Sequence, residues 1–194
     1  MDIRAQQVLD FWFGASDTPA AGQRRQEWFV KNPAFDAEIA QRFGALIEAA
    51  LRAELAAWPA DAPAAALAQI VVLDQFTRNV FRNTPRAFAG DPQALAAAKA
   101  MVATGQDLAL RPLQRAFVYL PFEHAEDLAM QDESVRLFTA LAAEAPELAD
   151  MLDYAHRHHL VIARFGRFAH RNAILGRAST SDELAFLQEP GSSF

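Results

Sequence analysis

Cysteine is missing altogether. That excludes disulfide scaffolds, thiolate nucleophiles and cysteine-ligated zinc or iron–sulfur sites. Glycine is scarce, 8 in 194 residues, and no Walker loop, dinucleotide fingerprint or Gly-x-Ser-x-Gly elbow occurs. Neither His-Glu-x-x-His nor the paired Glu-x-x-His sets of bundle di-iron proteins are present. The remaining metal candidate, His156 with His159 three residues on, is too sparse to act on, so no metal or cofactor is expected. Long apolar runs are lacking too. Charge-free stretches such as Ala62 to Leu73 fall well short of the ~20 residues that span a bilayer. The chain opens Met1-Asp2-Ile3-Arg4, with charge too early for a secretory signal, and a cytoplasmic protein is expected. The formal charge of -6 disfavours nucleic acid and anionic membranes as partners.

What is present reads as helix. Of the 194 residues 52% are hydrophobic, enough for one domain over residues 1–194. About a fifth are alanine, and Leu, Glu, Gln and Arg are common, all good helix formers. Period-two alternation is rare, so the class is all-α, with about eight or nine helices stacked as antiparallel hairpins. Helices are expected at Ile3 to Phe13 with Gly14 as stop, and at Gln23 to Val30. A third runs from Pro33 or Asp36 to Trp58, ended by Pro59. Others span Pro63 to Phe81, Asp91 to Thr104 before Gly105, and Pro112 to Leu120, broken at Pro121. The rest are Glu123 or Glu126 to Ala143, Pro146 to Phe165 before Gly166, and a final helix to Leu187. Thr180 and Glu183 form the capping box of that last helix.

Three polar clusters interrupt this apolar pattern. In the first, Asp74, Arg78 and Arg82 lie at i, i+4 and i+8 on a helix otherwise apolar nearly all round, with Asn79 beside them. They read either as a solvated outer stripe or as the polar wall of a groove. In the second, Pro121-Phe122-Glu123-His124-Ala125-Glu126-Asp127, the acids suit a helix N-terminus. His124 is also three residues from Asp127, the carboxylate spacing a general base needs. The third runs from His156 to Arg177, with five Arg, four His and no acid. Past the helix stop it continues as Arg164-Phe165-Gly166-Arg167-Phe168-Ala169-His170-Arg171-Asn172, read as an unstructured loop. Guanidinium forks suit carboxylate or phosphate. Arg167 and His170 are expected to fold back over the helix end, facing either Glu123 to Asp127 or a bound anion. Isolated buried charge is costly, so the clusters are expected to converge.

The stretches Val72-Leu73-Asp74-Gln75-Phe76-Thr77-Arg78-Asn79-Val80-Phe81-Arg82, Tyr119-Leu120-Pro121-Phe122-Glu123-His124-Ala125-Glu126-Asp127-Leu128 and Ile162 to Arg177 resemble the bacterial family catalogued as domain of unknown function 924. The likeness extends from Phe11-Trp12-Phe13-Gly14 through Trp28-Phe29 to Glu189-Pro190-Gly191-Ser192-Ser193-Phe194. It implies an all-helical fold similar to tetratricopeptide-repeat proteins, with degenerate repeats. No activity is established for the family, so no catalytic role carries over. Its motifs take in Glu126, Asp127 and His158 besides the residues above. Thr77 and Ala169 stand where many relatives carry Pro, and Leu160 where Asp is frequent.

Three functions stay open at this level. The first is a binding module for a small anionic molecule or acidic peptide, its groove lined by Asp74, Arg78, Asn79, Arg82, Glu123, His124, Arg164, Arg167, His170, Arg171 and Asn172. The second is an enzyme of the hydrolase type, with His124 or His170 as general base and Asp127 as a catalytic candidate. The third is a purely structural lock.

Overall fold

The computed structural model describes residues 2–15, 17–18, 21–55, 58 and 62–192. Among these there is no strand, and counting residues 63–80 as one continuous helix there are nine helices. No helix among the described residues is long and apolar enough to cross a membrane. The chain forms two compact units, Met1–Arg82 with Arg86–Pro121, and Asn83–Pro85 with Phe122–Phe194.

The first unit begins with α1 (Ile3–Phe13), whose N-cap Asp2 accepts the Arg4 N–H and whose stop is Gly14 at φ 84°. Helix α2 (Pro33–Leu51) is capped by Asn32, which accepts the Ala34 and Phe35 N–H groups. Such a cap contributes roughly 1 kcal/mol. α2 ends seven residues before the expected Trp58, and Pro59 lies outside the described residues. The stop is a Schellman motif: Ala53 takes φ 58°, its N–H reaches the Ala50 carbonyl and that of Glu54 reaches Ala49. The segment from Gln23 to Val30 supplies only a short 3₁₀ turn, Gln26–Trp28.

Helix α3 (Pro63–Ile70) passes into a π-helical turn, Val71–Phe76, and then α4 (Thr77–Val80). π-turns recur at functional and constrained positions. Here all six residues of the turn are buried. Helix α5 (Asp91–Ala103) starts at Gly90, where a Cβ would stand 2.1 Å from the Leu73 carbonyl oxygen. Only glycine lets these backbones approach so closely. Helix α6 (Pro112–Glu123) continues through Pro121, correcting the expected break: the proline forfeits one N–H bond, and the helix ends two residues later. Trp12, fully buried, stacks on Trp28 and meets Phe76 and Phe117 edge-on, while Phe11 stacks on Phe35. This aromatic cluster is the core of the unit.

In the second unit, α7 (Leu128–Glu144) and α8 (Ala149–Phe165) form a hairpin joined by the 3₁₀ turn Pro146–Leu148. The pair is antiparallel, since His159 near the end of α8 meets Asp132 near the start of α7 at 2.8 Å. Gly166 adopts φ 68° and donates its N–H to the Ile162 carbonyl, the expected helix stop. The stretch beyond it is structured rather than loose. It holds the 3₁₀ turn Ala169–Arg171 and α9 (Asn172–Leu175) before α10 (Ser181–Phe186) with its Thr180–Glu183 capping box. Val161, Ile162 and Phe168 form a small core against Phe165 and Phe186.

Candidate functional site

The first cluster lies in the first unit and finds its partners there. Gln75 donates to the fully buried Asp74 at 2.6 Å. Arg78 contacts the Asp74 carboxylate at 3.1 Å and grips Asp91 with both Nη atoms, at 2.6 and 2.9 Å. Arg82 holds Asp36 at 2.6 and 3.1 Å, and Asn79 donates to the same carboxylate at 2.7 Å. The polar stripe therefore cross-links α4 to the first turns of α2 and α5. Negative charge in a first turn is itself favoured by the helix dipole. A second buried network, which sequence spacing does not signal, joins Tyr119 to Asp107 at 2.6 Å and Arg115 to Tyr119 at 3.3 Å. Burial, with Asp107 beside it, pushes the Tyr119 hydroxyl up to about 12.

The second and third clusters share the second unit and are brought together. Asp127 caps α7, accepting the Ala129 and Met130 N–H groups at 2.8 and 3.2 Å. Glu126 accepts a fork from Arg177 at 2.5 and 2.8 Å and the Phe168 N–H at 2.8 Å. Arg167, expected to face Glu123 to Asp127 or an anion, instead forks onto Glu183 of α10 at 2.6 and 2.8 Å. Its guanidinium holds the Glu183 carboxyl down at about 2. Asn172, nearly fully buried, donates to Ser179 and accepts from Arg177, both at 3.0 Å. Arg164 lies over the rings of Phe165 and Phe186, 4.6 and 5.8 Å from their centroids.

The remaining basic groups gather around His158 and Phe168. The His158 ring lies 6.3 Å from that of His124 and 5.4 Å from that of Phe168. Phe168 in turn neighbours His170 at 5.7 Å and carries the Arg171 guanidinium 4.4 Å above its centroid. His158 is itself buried, 4% exposed. Its Nδ1 is 2.9 Å from the Tyr154 carbonyl and 3.2 Å from the Glu123 carboxylate. A carbonyl only accepts, so Nδ1 carries the proton and Nε2 is left with the lone pair. Burial, then the charges of His124, Arg171 and His170, push the ring down to about 3, which keeps it neutral near pH 7. Residues from α6, the turn after it, α8 and the 3₁₀ turn thus form one imidazole–guanidinium cluster with a buried carboxylate at its edge.

The family model described as "Bacterial protein of unknown function (DUF924)" matches residues 8–191. The chain belongs to this family. A solved structure of a protein of unknown function from Agrobacterium tumefaciens is similar to it: 37% identity, a TM-score of 0.83, with 96% of this chain and 97% of that one covered. No curated protein matches. For this DUF924 chain, His158 is the central residue that sequence spacing passes over. Attention falls on His156 and His159, but His156 is exposed and His159 pairs with Asp132, while His158 faces inward. Two signals are available: the family's motifs take in His158, and position 158 continues the apolar stripe of Met151, Ala155 and Ile162.

Proposed function

We propose that the second unit binds a small anionic molecule, a carboxylate or phosphate, at the cluster of His124, His158, His170 and Arg171 around Phe168. The observation that carries this reading is that His158 of α8 and the adjacent His170 and Arg171 of the 3₁₀ turn pack on the Phe168 ring, with the His124 ring 6.3 Å from that of His158. His158 is neutral, so the attraction for an anion rests on the Arg171 guanidinium with the His124 and His170 imidazoles near it. A compact molecule suits it better than an acidic peptide, because His158, Phe168 and Arg171 are all buried. Asp74, Arg78, Asn79, Arg82, Arg167 and Asn172 serve as structural locks in this reading, since each has its partners inside its own unit. General-base catalysis by His124 or His170 has less support, because the Asp127 carboxylate is engaged in capping α7. The cytoplasmic location and the tetratricopeptide-like stacking stay part of the proposal; the α7–α8 hairpin supports the latter.

Thermal unfolding with inorganic phosphate or malate tests the binding. A ligand at a hundred times its Kd adds about 2.7 kcal/mol to stability. One of the two is expected to raise the Tm of the wild type and not that of His124→Gln or Arg171→Gln. No rise with either compound rejects the reading.

A further inference from the structure

The same unit also buries polar groups along α7, the first of them bonded to the turn that presents His124. Glu123, 3% exposed, precedes His124 and contacts His158 at 3.2 Å. Gln131 of α7, fully buried, uses its Nε2 to donate to the carbonyls of Phe122, Glu123 and Ala125 at 3.3, 2.7 and 2.8 Å, clamping the turn that presents His124. Those three carbonyls fix which end of the amide is which, since only the NH₂ end can donate to them. The other end, Oε1, is buried and accepts no hydrogen bond. Ser134, three residues on along the same face of α7, is fully buried, and its Oγ makes no hydrogen bond either. The Asp132–His159 contact sets this stretch of α7 against the part of α8 that carries His158. Buried polar atoms without a partner are uncommon, because each such atom costs about 1–3 kcal/mol.

We propose that the ligand is bifunctional: a small carboxylate or phosphate monoester whose chain also bears a hydroxyl or ammonium donor, the anionic end meeting His124, His170 and Arg171 and the donor meeting Glu123, Gln131 Oε1 and Ser134. This rests on the anion-binding reading above and narrows it. A bare anion without a donor leaves the Gln131 and Ser134 oxygens unsatisfied. A hydroxy or amino acid brings a donor to them. Sites built to hydrogen-bond a hydroxyl discriminate strongly against analogues that lack it.

Calorimetric titration of the chain with matched pairs tests the inference. The pairs are malate against succinate and aspartate against succinate for the carboxylate arm, and glycerol phosphate against propyl phosphate for the phosphate arm. In one arm the donor-bearing member is expected to bind at least tenfold tighter. His124→Gln should weaken both members of that pair alike. Gln131→Met, or Ser134→Ala if the former fails to fold, should shrink the ratio. Equal affinities within every pair overturn this inference and leave the anion site standing. No binding by any of the compounds overturns both.

Discussion

Protonation of His158 gives the sharpest quantitative test. The ring is held neutral inside the second unit, its pKa pushed from an ordinary 6.5 to about 3 by burial first and by His124, Arg171 and His170 after it. In the unfolded chain the same ring takes up a proton near 6.5. Between those values the unfolded state binds more protons, so stability is fully present above about pH 6.5 and is lost as the pH falls toward 3. The limiting slope for one proton is about 1.4 kcal/mol per pH unit. From pH 6.5 to pH 5 that amounts to about 2 kcal/mol, a substantial share of the 5–15 kcal/mol typical of a domain. Glu126 and Glu183 do not confuse this window. Their lowered pKa values bring a loss of stability only as the pH falls below the ordinary 4.5. The groups facing the ring are Glu123, His124, the Tyr154 carbonyl, His170 and Arg171. Urea unfolding at pH 7.5, 6.5, 5.5 and 5.0 measures the slope, and His158→Asn keeps an amide where Nδ1–H stands while removing the titration. The variant's curve should be flatter by about one proton's worth. Identical slopes in the wild type and His158→Asn would refute the account of a ring buried neutral.

Four further outcomes follow from the packing. Ala53→Gly should stabilise the chain by about 0.5 kcal/mol in chemical denaturation, because a left-handed alanine costs roughly 1–2 kcal/mol and glycine's extra chain entropy returns part of it. Gly90→Ala should cost at least about 2 kcal/mol, since its Cβ would overlap the rigid Leu73 carbonyl; a neutral substitution would show that α5 can move away. Arg167→Ala should lower the Tm, and adding Glu183→Gln should recover part of the loss by removing a buried charge that has lost its cation while keeping an oxygen for the Thr180 N–H; no recovery would disprove the lock. If the chain is one domain, as its length suggests, tryptophan fluorescence, which reports on the first unit, and far-UV circular dichroism should melt at one temperature.

Much of the local structure is legible in the sequence. Helix α1, the stops at Gly14, Gly105 and Gly166, and the Thr180–Glu183 box follow from caps and glycines, whose effects act within one turn. The end of α2 is not legible, because Ala53 adopts a conformation its side chain does not announce. The π-turn is hidden in the same way: Val71–Phe76 has no composition that separates it from an α-helix. At the clusters, periodicity picks out the charged residues but not what they bind. Asp36 lies 46 residues from Arg82, and Glu126 lies 51 from Arg177. Spacing rules on a helix reach only i+4, so they offer Asp74 to Arg78 and Asp127 to His124 and are silent on the tertiary partners that dominate. Arg167 is the instructive case. Its sharp turn at Gly166 is foreseeable, but the acid waiting there comes from the last helix, not from the turn before α7.

The grip of Glu126 and Arg177 on the backbone of Phe168 has a use at the bench. The carboxylate accepts the Phe168 N–H at 2.8 Å, and the guanidinium that holds that carboxylate also donates to the Phe168 carbonyl at 3.2 Å. That one amide cannot exchange its hydrogen with deuterated solvent until the clamp lets go, and the ring it carries is the one on which the basic groups converge. Its exchange rate is therefore a built-in clock for local opening of the cluster, readable residue by residue by NMR.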